Sequence, residues 1–145
     1  MTLKKDDWLV LALAAAEGKP LSPVQLQKTL FLLQKELPWA VGGEFYTFRP
    51  YNYGPFDSAI YADATTLAAQ NLVAVENIPG QRWSGYAITI HGRERANALS
   101  KQISSQALSY LQSLTKWVQS VSFRDLLKAV YSKYPEYAVN SVFRG

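Results

Sequence analysis

Residues 56–93 read FDSAIYADATTLAAQNLVAVENIPGQRWSGYAITIHGR, and the order of elements in this stretch decides the fold. From Phe56 to Gln70, the apolar residues Ile60, Ala64, Leu67 and Ala68 recur at helical spacing. Asp57 is placed to cap that helix and to oppose its dipole. Asn71 can take the left-handed conformation that ends a helix. Residues 72–76 then read as a short strand, 79–85 as a hairpin tip, and 86–90 as a returning strand alternating with period two. His91-Gly92 leads into a further helix, from Arg93 to about Ile103.

Upstream, a helix is expected from about Asp6 to Glu17, ended by Gly18 and Pro20. The next helix has a complete start signal. Ser22 is the N-cap, Pro23 takes the first helical position, and Gln25 completes a capping box. Leu26, Leu30, Leu33 and Leu37 follow at helical spacing, and Pro38 stops the helix. Residues 45–53, FYTFRPYNY, read as extended, with Pro50 restricting them to an edge or irregular strand. Gly54-Pro55 reads as a turn that aims the next helix. Downstream, Ala107, Leu111, Leu114 and Val118 form one helical stripe. Ser122 and Asp125 open another helix, lined by Phe123, Leu127, Val130 and Tyr134 and ended by Pro135. The tail from Tyr137 reads as irregular.

The resulting order is helix, helix, extended segment, helix, hairpin, helix. It predicts a single domain over 1–145, mainly α with a small β-hairpin (α+β). A winged helix-turn-helix core is expected at about 6–103, with extra C-terminal helices at about 104–136. In such a core the third helix can enter a major groove while the wing reaches the neighbouring backbone.

Composition fits this reading. The chain has 145 residues, 48% hydrophobic and 18% charged, enough apolar surface for one core and too much for a disordered chain. It has no cysteine, which excludes a disulfide framework and a thiolate metal site. The apolar run Trp8 to Ala16 is nine residues, too short for a bilayer. Asp6 and Asp7 before it argue against a signal peptide, so a cytoplasmic protein without a membrane partner is expected. Charge is uneven. Residues 1–80 carry a net −2 and residues 81–145 a net +6. A basic half suits an acidic partner such as nucleic acid, and equally serves as a solubilising face.

Two resemblances accompany the pattern. The segment Asn71-Leu72-Val73, then Tyr86-Ala87-Ile88-Thr89-Ile90-His91-Gly92-Arg93, resembles the wing region of many bacterial winged-helix regulators. The second rests on Leu26-Gln27-Lys28 with Leu30-Phe31, Pro50-Tyr51-Asn52-Tyr53-Gly54-Pro55-Phe56, and Ile60-Tyr61. These residues resemble the Panacea/SocA-like and YwgA-like bacterial families over roughly residues 20–95. The Tyr-Gly-Pro turn, Tyr53 to Pro55, is the most specific part. The resemblance implies a winged-helix-like fold and an association with toxin–antitoxin or phage-defence functions. It also implies that some members act as antitoxins or protein adaptors. The helices after 104 lie outside that signature.

The third helix is an unusual DNA reader. From Phe56 to Gln70 it carries no Lys or Arg, and it holds Asp57 and Asp63. Ser58, Thr65, Thr66 and Gln70 can hydrogen-bond, but positive charge must come from elsewhere: Lys28 and Lys35 on the second helix, Arg49, Arg82, Arg93 and Arg95. Arg82-Trp83 at the wing tip reads either as a backbone-and-stacking contact or as a Trp folded onto the core. The cluster Tyr46, Phe48, Tyr51, Tyr53 and Phe56 is either a binding platform or core packing. Tyr53, Gly54, Pro55 and Tyr61 read as motif and structural positions. No metal-ligand spacing, nucleophile–base pair or glycine-rich phosphate loop stands out, so neither an enzyme nor a cofactor is expected. Trp117, Tyr131, Tyr134 and Tyr137 of the C-terminal helices either form a homodimer surface or cover the core. The functional expectation is a nucleic-acid-binding regulator or defence-associated factor acting on duplex DNA. The alternative is a protein-interaction module with a partner such as a toxin.

Overall fold

Ser22 starts the second helix through a reciprocal capping box. Its Oγ accepts from the Gln25 N–H at 3.1 Å, and Gln25 Oε1 accepts from the Ser22 N–H at 2.9 Å. The computed structural model describes residues 3–143. In order, the first elements are α1 (Lys5–Ala15), α2 (Pro23–Glu36), α3 (Pro38–Val41), β1 (Arg49–Tyr51) and β2 (Gly54–Phe56). Then come α4 (Ala59–Ala69), β3 (Val73–Asn77), β4 (Ser84–Ile88), α5 (Ile90–Ser100), α6 (Ser105–Ser120), α7 (Phe123–Lys133) and a 3-10 turn (Pro135–Ala138). The class is α+β, mainly helical, with two small antiparallel hairpins. None of the described helices is long and apolar enough to cross a membrane.

Helix α1 is apolar on every face, and so it is the helix the others surround. Trp8 to Leu13 are all buried, with α2, α4, α5, α6 and β4 packed around them. Leu21, between α1 and α2, bridges to β4. It exchanges hydrogen bonds with Tyr86, at 2.8 Å from its own N–H and 2.9 Å to its carbonyl. The C-terminal helices join the same core through Leu111, Val118, Leu126 and Val130. Phe31 of α2 takes Tyr134 and Tyr137 edge-on, at 5.2 and 4.7 Å between ring centroids. Tyr134 and Tyr137 therefore cover the core of their own chain. Lys133 pairs with Glu36 beside them.

Several boundaries differ from the sequence expectation. Gly54-Pro55 is not a turn but strand β2, paired with β1 so that Pro50 faces Pro55, and Asn52-Tyr53 form the tip. Facing prolines put both missing N–H groups on one rung, which lets so short a ladder form. Helix α4 therefore starts at Ala59 rather than Phe56. The link from α2 to α4 spans residues 37–58 and holds α3 and β1–β2, where a helix-turn-helix has a turn of about three to four residues. Pro38 does end α2, and it also opens α3 at that helix's first position. Ile90 belongs to α5, not to the strand. Thr89 Oγ1 accepts the Gly92 N–H at 2.9 Å and caps the helix one residue before it. Phe123 opens α7 and is exposed, while Leu126, Leu127 and Val130 face inward.

Gly92 marks the closest approach in the fold. A Cβ there would lie 2.0 Å from the Leu72 carbonyl oxygen, which is backbone and cannot swing aside. Gly92→Ala should lower stability by more than about 2 kcal/mol in urea unfolding. Gly43→Ala, with no atom within 4 Å of its new Cβ, should stay within about 0.5 kcal/mol of wild type. A near-neutral Gly92→Ala would contradict this packing of α5 on the α4–β3 link.

Candidate functional site

The buried turn of α2 carries three polar residues, Gln27, Lys28 and Thr29, and the first two reach residues 55–57 after the β1–β2 tip. Gln27 Nε2 donates to the Asp57 carbonyl at 2.9 Å, and the Asp57 N–H donates to Gln27 Oε1 at 3.0 Å. A primary amide thus pairs with both backbone groups of one residue, as a neighbouring strand would. Lys28 Nζ donates to the Pro55 carbonyl at 3.1 Å. Asp57 continues the connection. Its carboxylate accepts from the Ala59 N–H at 2.9 Å, capping α4, and from the Thr47 N–H at 2.7 Å. Gly54 has φ +92°, and a Cβ there would stand 3.0 Å from the Tyr131 ring of α7 and 3.6 Å from Lys28 Cε. The Leu-Gln-Lys and Tyr-Gly-Pro segments are therefore direct contacts of each other.

Above this junction lies a cleft of about 650 Å³. Gln27, Lys28 and Gly54 line its floor, residues 22–25 at the start of α2 form one wall, and Phe56 and Tyr61 form another. Tyr51, Tyr53, Trp83 and Phe123 line it as partly exposed rings. Several of the rings are held by one another. Tyr51 stacks on Phe56 at 4.7 Å, Phe56 meets Tyr61 at 5.9 Å, and Tyr61 stacks on Tyr86 at 6.0 Å. Tyr53 packs edge-on against Phe123 at 5.5 Å. Burial raises the Tyr61 and Tyr86 hydroxyl pKa values, so both stay neutral donors at ordinary pH.

Lys28 is the main correction to the sequence reading. It is 2% exposed and lines the cleft, so it does not stand on an outer face along which a duplex backbone would run. Burial alone lowers its ammonium pKa from 10.5 to about 7, and no carboxylate pairs with it among the described residues. Arg93 and Arg95 lie on α5 against α1. Arg95 is ion-paired to Asp7 at 3.2 Å, and the Arg93 guanidinium sits beside Gly18. Arg49 remains exposed, its guanidinium 6.0 Å from the Tyr51 ring, and Arg82 is exposed next to Trp83. Ser58, just before α4, and Thr65 on it are exposed, with the Thr65 hydroxyl turned back onto the Tyr61 carbonyl at 3.0 Å. Asp63 is engaged by the Tyr46 hydroxyl at 2.7 Å.

The structure thus gathers Lys28, Tyr53, Gly54, Tyr61 and Trp83 at one place and leaves Arg93 and Arg95 elsewhere. Trp83 neither enters the core nor stands free; it lines the cleft. The aromatic cluster divides. Tyr46 and Phe48 pack inward, while Tyr51 and Tyr53 face the cleft. Sequence reasoning missed Gln27, Val121 and Phe123 as cleft residues. Two adjacent polar residues inside the apolar stripe of α2 were the available signal for Gln27. No local signal ties the start of α7 to residues some seventy positions earlier.

The lowered pKa of Lys28 has a definite sign in stability. Between pH 7 and 10.5 the folded amine is neutral and the unfolded one protonated, so unfolding takes up a proton. Wild type should therefore gain stability relative to Lys28→Met as pH rises through that window, at up to about 1.4 kcal/mol per unit. Below pH 7 the difference should be flat. Urea unfolding of both proteins from pH 6 to 9.5 measures it; a pH-independent difference would contradict the buried, unpaired ammonium.

No protein family, curated protein or solved structure matches the chain, so the reading of this cleft rests on its own geometry.

Proposed function

We propose that this chain is a small bacterial winged-helix protein that works as a protein-interaction module, antitoxin-like or adaptor-like, through its aromatic cleft. The element order supports the winged reading. So does Leu21, which adds a third strand position to the β3–β4 hairpin from between the first two helices. The resemblance to the Panacea/SocA-like and YwgA-like families points the same way.

One observation carries the functional choice. Tyr51, Tyr53, Trp83 and Phe123, each 40–46% exposed, converge on a single cleft. By contrast, the exposed positions of α4, Ala62, Thr65, Thr66 and Ala69, bring no cation to a phosphate. Large aromatic side chains held at the surface around a concavity are typical of the centres of protein interfaces. Isolating them costs water contacts that a partner would remove.

A second reading, duplex-DNA binding, is favoured by the exposed Arg49 and Arg82 at either side of the same cleft residues. The two are separated by one set of variants. The product of the gene adjacent to this one should be retained by wild type and by Trp39→Ala, which alters an exposed Trp outside the cleft. Tyr53→Ala with Trp83→Ala should weaken that retention at least tenfold, about 1.4 kcal/mol. In parallel, affinity for random duplex should be negligible at physiological salt. A steep salt dependence that Arg49→Ala with Arg82→Ala removes would instead establish the DNA reading.

A further inference from the structure

The charge inventory of the cleft is one-sided. Among the described residues, its lining holds a single cation, Lys28, and no Asp or Glu. The Lys28 ammonium has three N–H donors, and the hydrogen bond it makes among the described residues goes to one neutral acceptor, the Pro55 carbonyl. A buried charge is ordinarily matched by an opposite one. The groups that face it offer none. Tyr131 of α7, beside it at Gly54, and Tyr61 of α4, which shares the cleft lining, are phenols, and both Asp57 oxygens are already held by the Ala59 and Thr47 N–H groups. The first turn of α2, on the cleft wall, contributes the positive end of a fourteen-residue helix.

We propose that the cleft is a carboxylate-recognition site, in which a partner protein inserts an acidic side chain to pair with Lys28 Nζ. An adjacent apolar side chain of the partner lies among Tyr53, Trp83 and Phe123. This inference rests on the reading of the cleft as a protein-binding surface and names the chemistry it selects. Charge complementarity decides the occupant. A duplex backbone needs cations spread along an exposed face, whereas Lys28 is sunk below a ring of aromatics and the exposed Arg49 and Arg82 lie outside the lining. The volume of about 650 Å³ suits one or two inserted side chains. Pairing with a carboxylate holds Lys28 protonated, so binding takes up a proton at a pH where the free amine is partly neutral.

The test uses two probes of one shape, indole-3-acetate and indole-3-acetamide, titrated into the full chain by NMR. The acetate should bind wild type, shift the Trp83 and Gly54 signals, and bind Lys28→Met at least tenfold more weakly. The acetamide should bind both proteins alike. In wild type alone, which needs no variant to fold, acetate affinity should fall about tenfold or more from pH 6.5 to 8.5 while acetamide affinity stays flat. Equal binding of the two probes, or a pH-independent acetate affinity, would overturn the proposal. Displacement of the acetate by equimolar inorganic phosphate would overturn it in favour of a phosphate-bearing ligand. If the probes fail while Tyr53→Ala with Trp83→Ala still loses the protein partner, the carboxylate inference falls and the cleft reading stands. If that double variant keeps the partner, the cleft reading itself falls.

Discussion

Gln27 pairs its side-chain amide with both the N–H and the C=O of Asp57, thirty residues further along the chain. Both bonds are partly shielded from water by the packing of α2, so a partner inside the protein stabilises each group. Gln27 is that partner, and the pairing fixes residues 54–57 as an extended segment lying across α2. Three consequences follow from this single constraint. Helix α4 cannot start before Asp57, whose carboxylate then caps it. Pro55 is brought over Lys28, which gives the buried ammonium its carbonyl acceptor. The tip residues Tyr51 and Tyr53 are carried out to the mouth of the cleft.

The C-terminal part of the chain completes what that pairing begins. Tyr131 of α7 closes over Gly54, where only a glycine leaves room and permits a positive φ. Val142 donates its N–H to the Asn52 carbonyl at 2.9 Å, so the tail buttresses the β1–β2 tip from outside. Phe123 then stands against Tyr53 as one ring of the cleft. A cleft built this way draws on α2, β1–β2, α4, the β3–β4 loop and α7. Its shape therefore depends on the whole fold, and the exposed rings Tyr51, Tyr53 and Phe123 are held by edge and stacking contacts.

How much of this was legible in the sequence follows from the range of each interaction. Ser22, Gln25, Ser122 and Asp125 obey rules that act over three residues, and those helix starts were read correctly. The β3–β4 hairpin showed its alternation. β1 and β2 did not, because each has three residues, one of them proline, and the segment that follows them is held by a glutamine thirty residues away. Lys28 was assigned to the surface because lysine usually keeps its head in water. Its burial is imposed by tertiary packing that no local pattern reports. Tyr53, Tyr61 and Trp83 were recognisable as candidates from their chemistry, but their convergence on Lys28, and the arrival of Phe123 beside them, are products of the fold alone.

The most direct test of the account is amide hydrogen exchange at Asp57 in wild type and in Gln27→Met, a variant that keeps the bulk and removes the amide. The Asp57 N–H should be protected in wild type and exchange at least tenfold faster in the variant. The Tyr86 N–H, bonded to the Leu21 carbonyl ahead of α2, should keep its protection. Unchanged protection at Asp57, or an equal loss at Asp57 and Tyr86, would contradict the claim that this one pairing holds the cleft together.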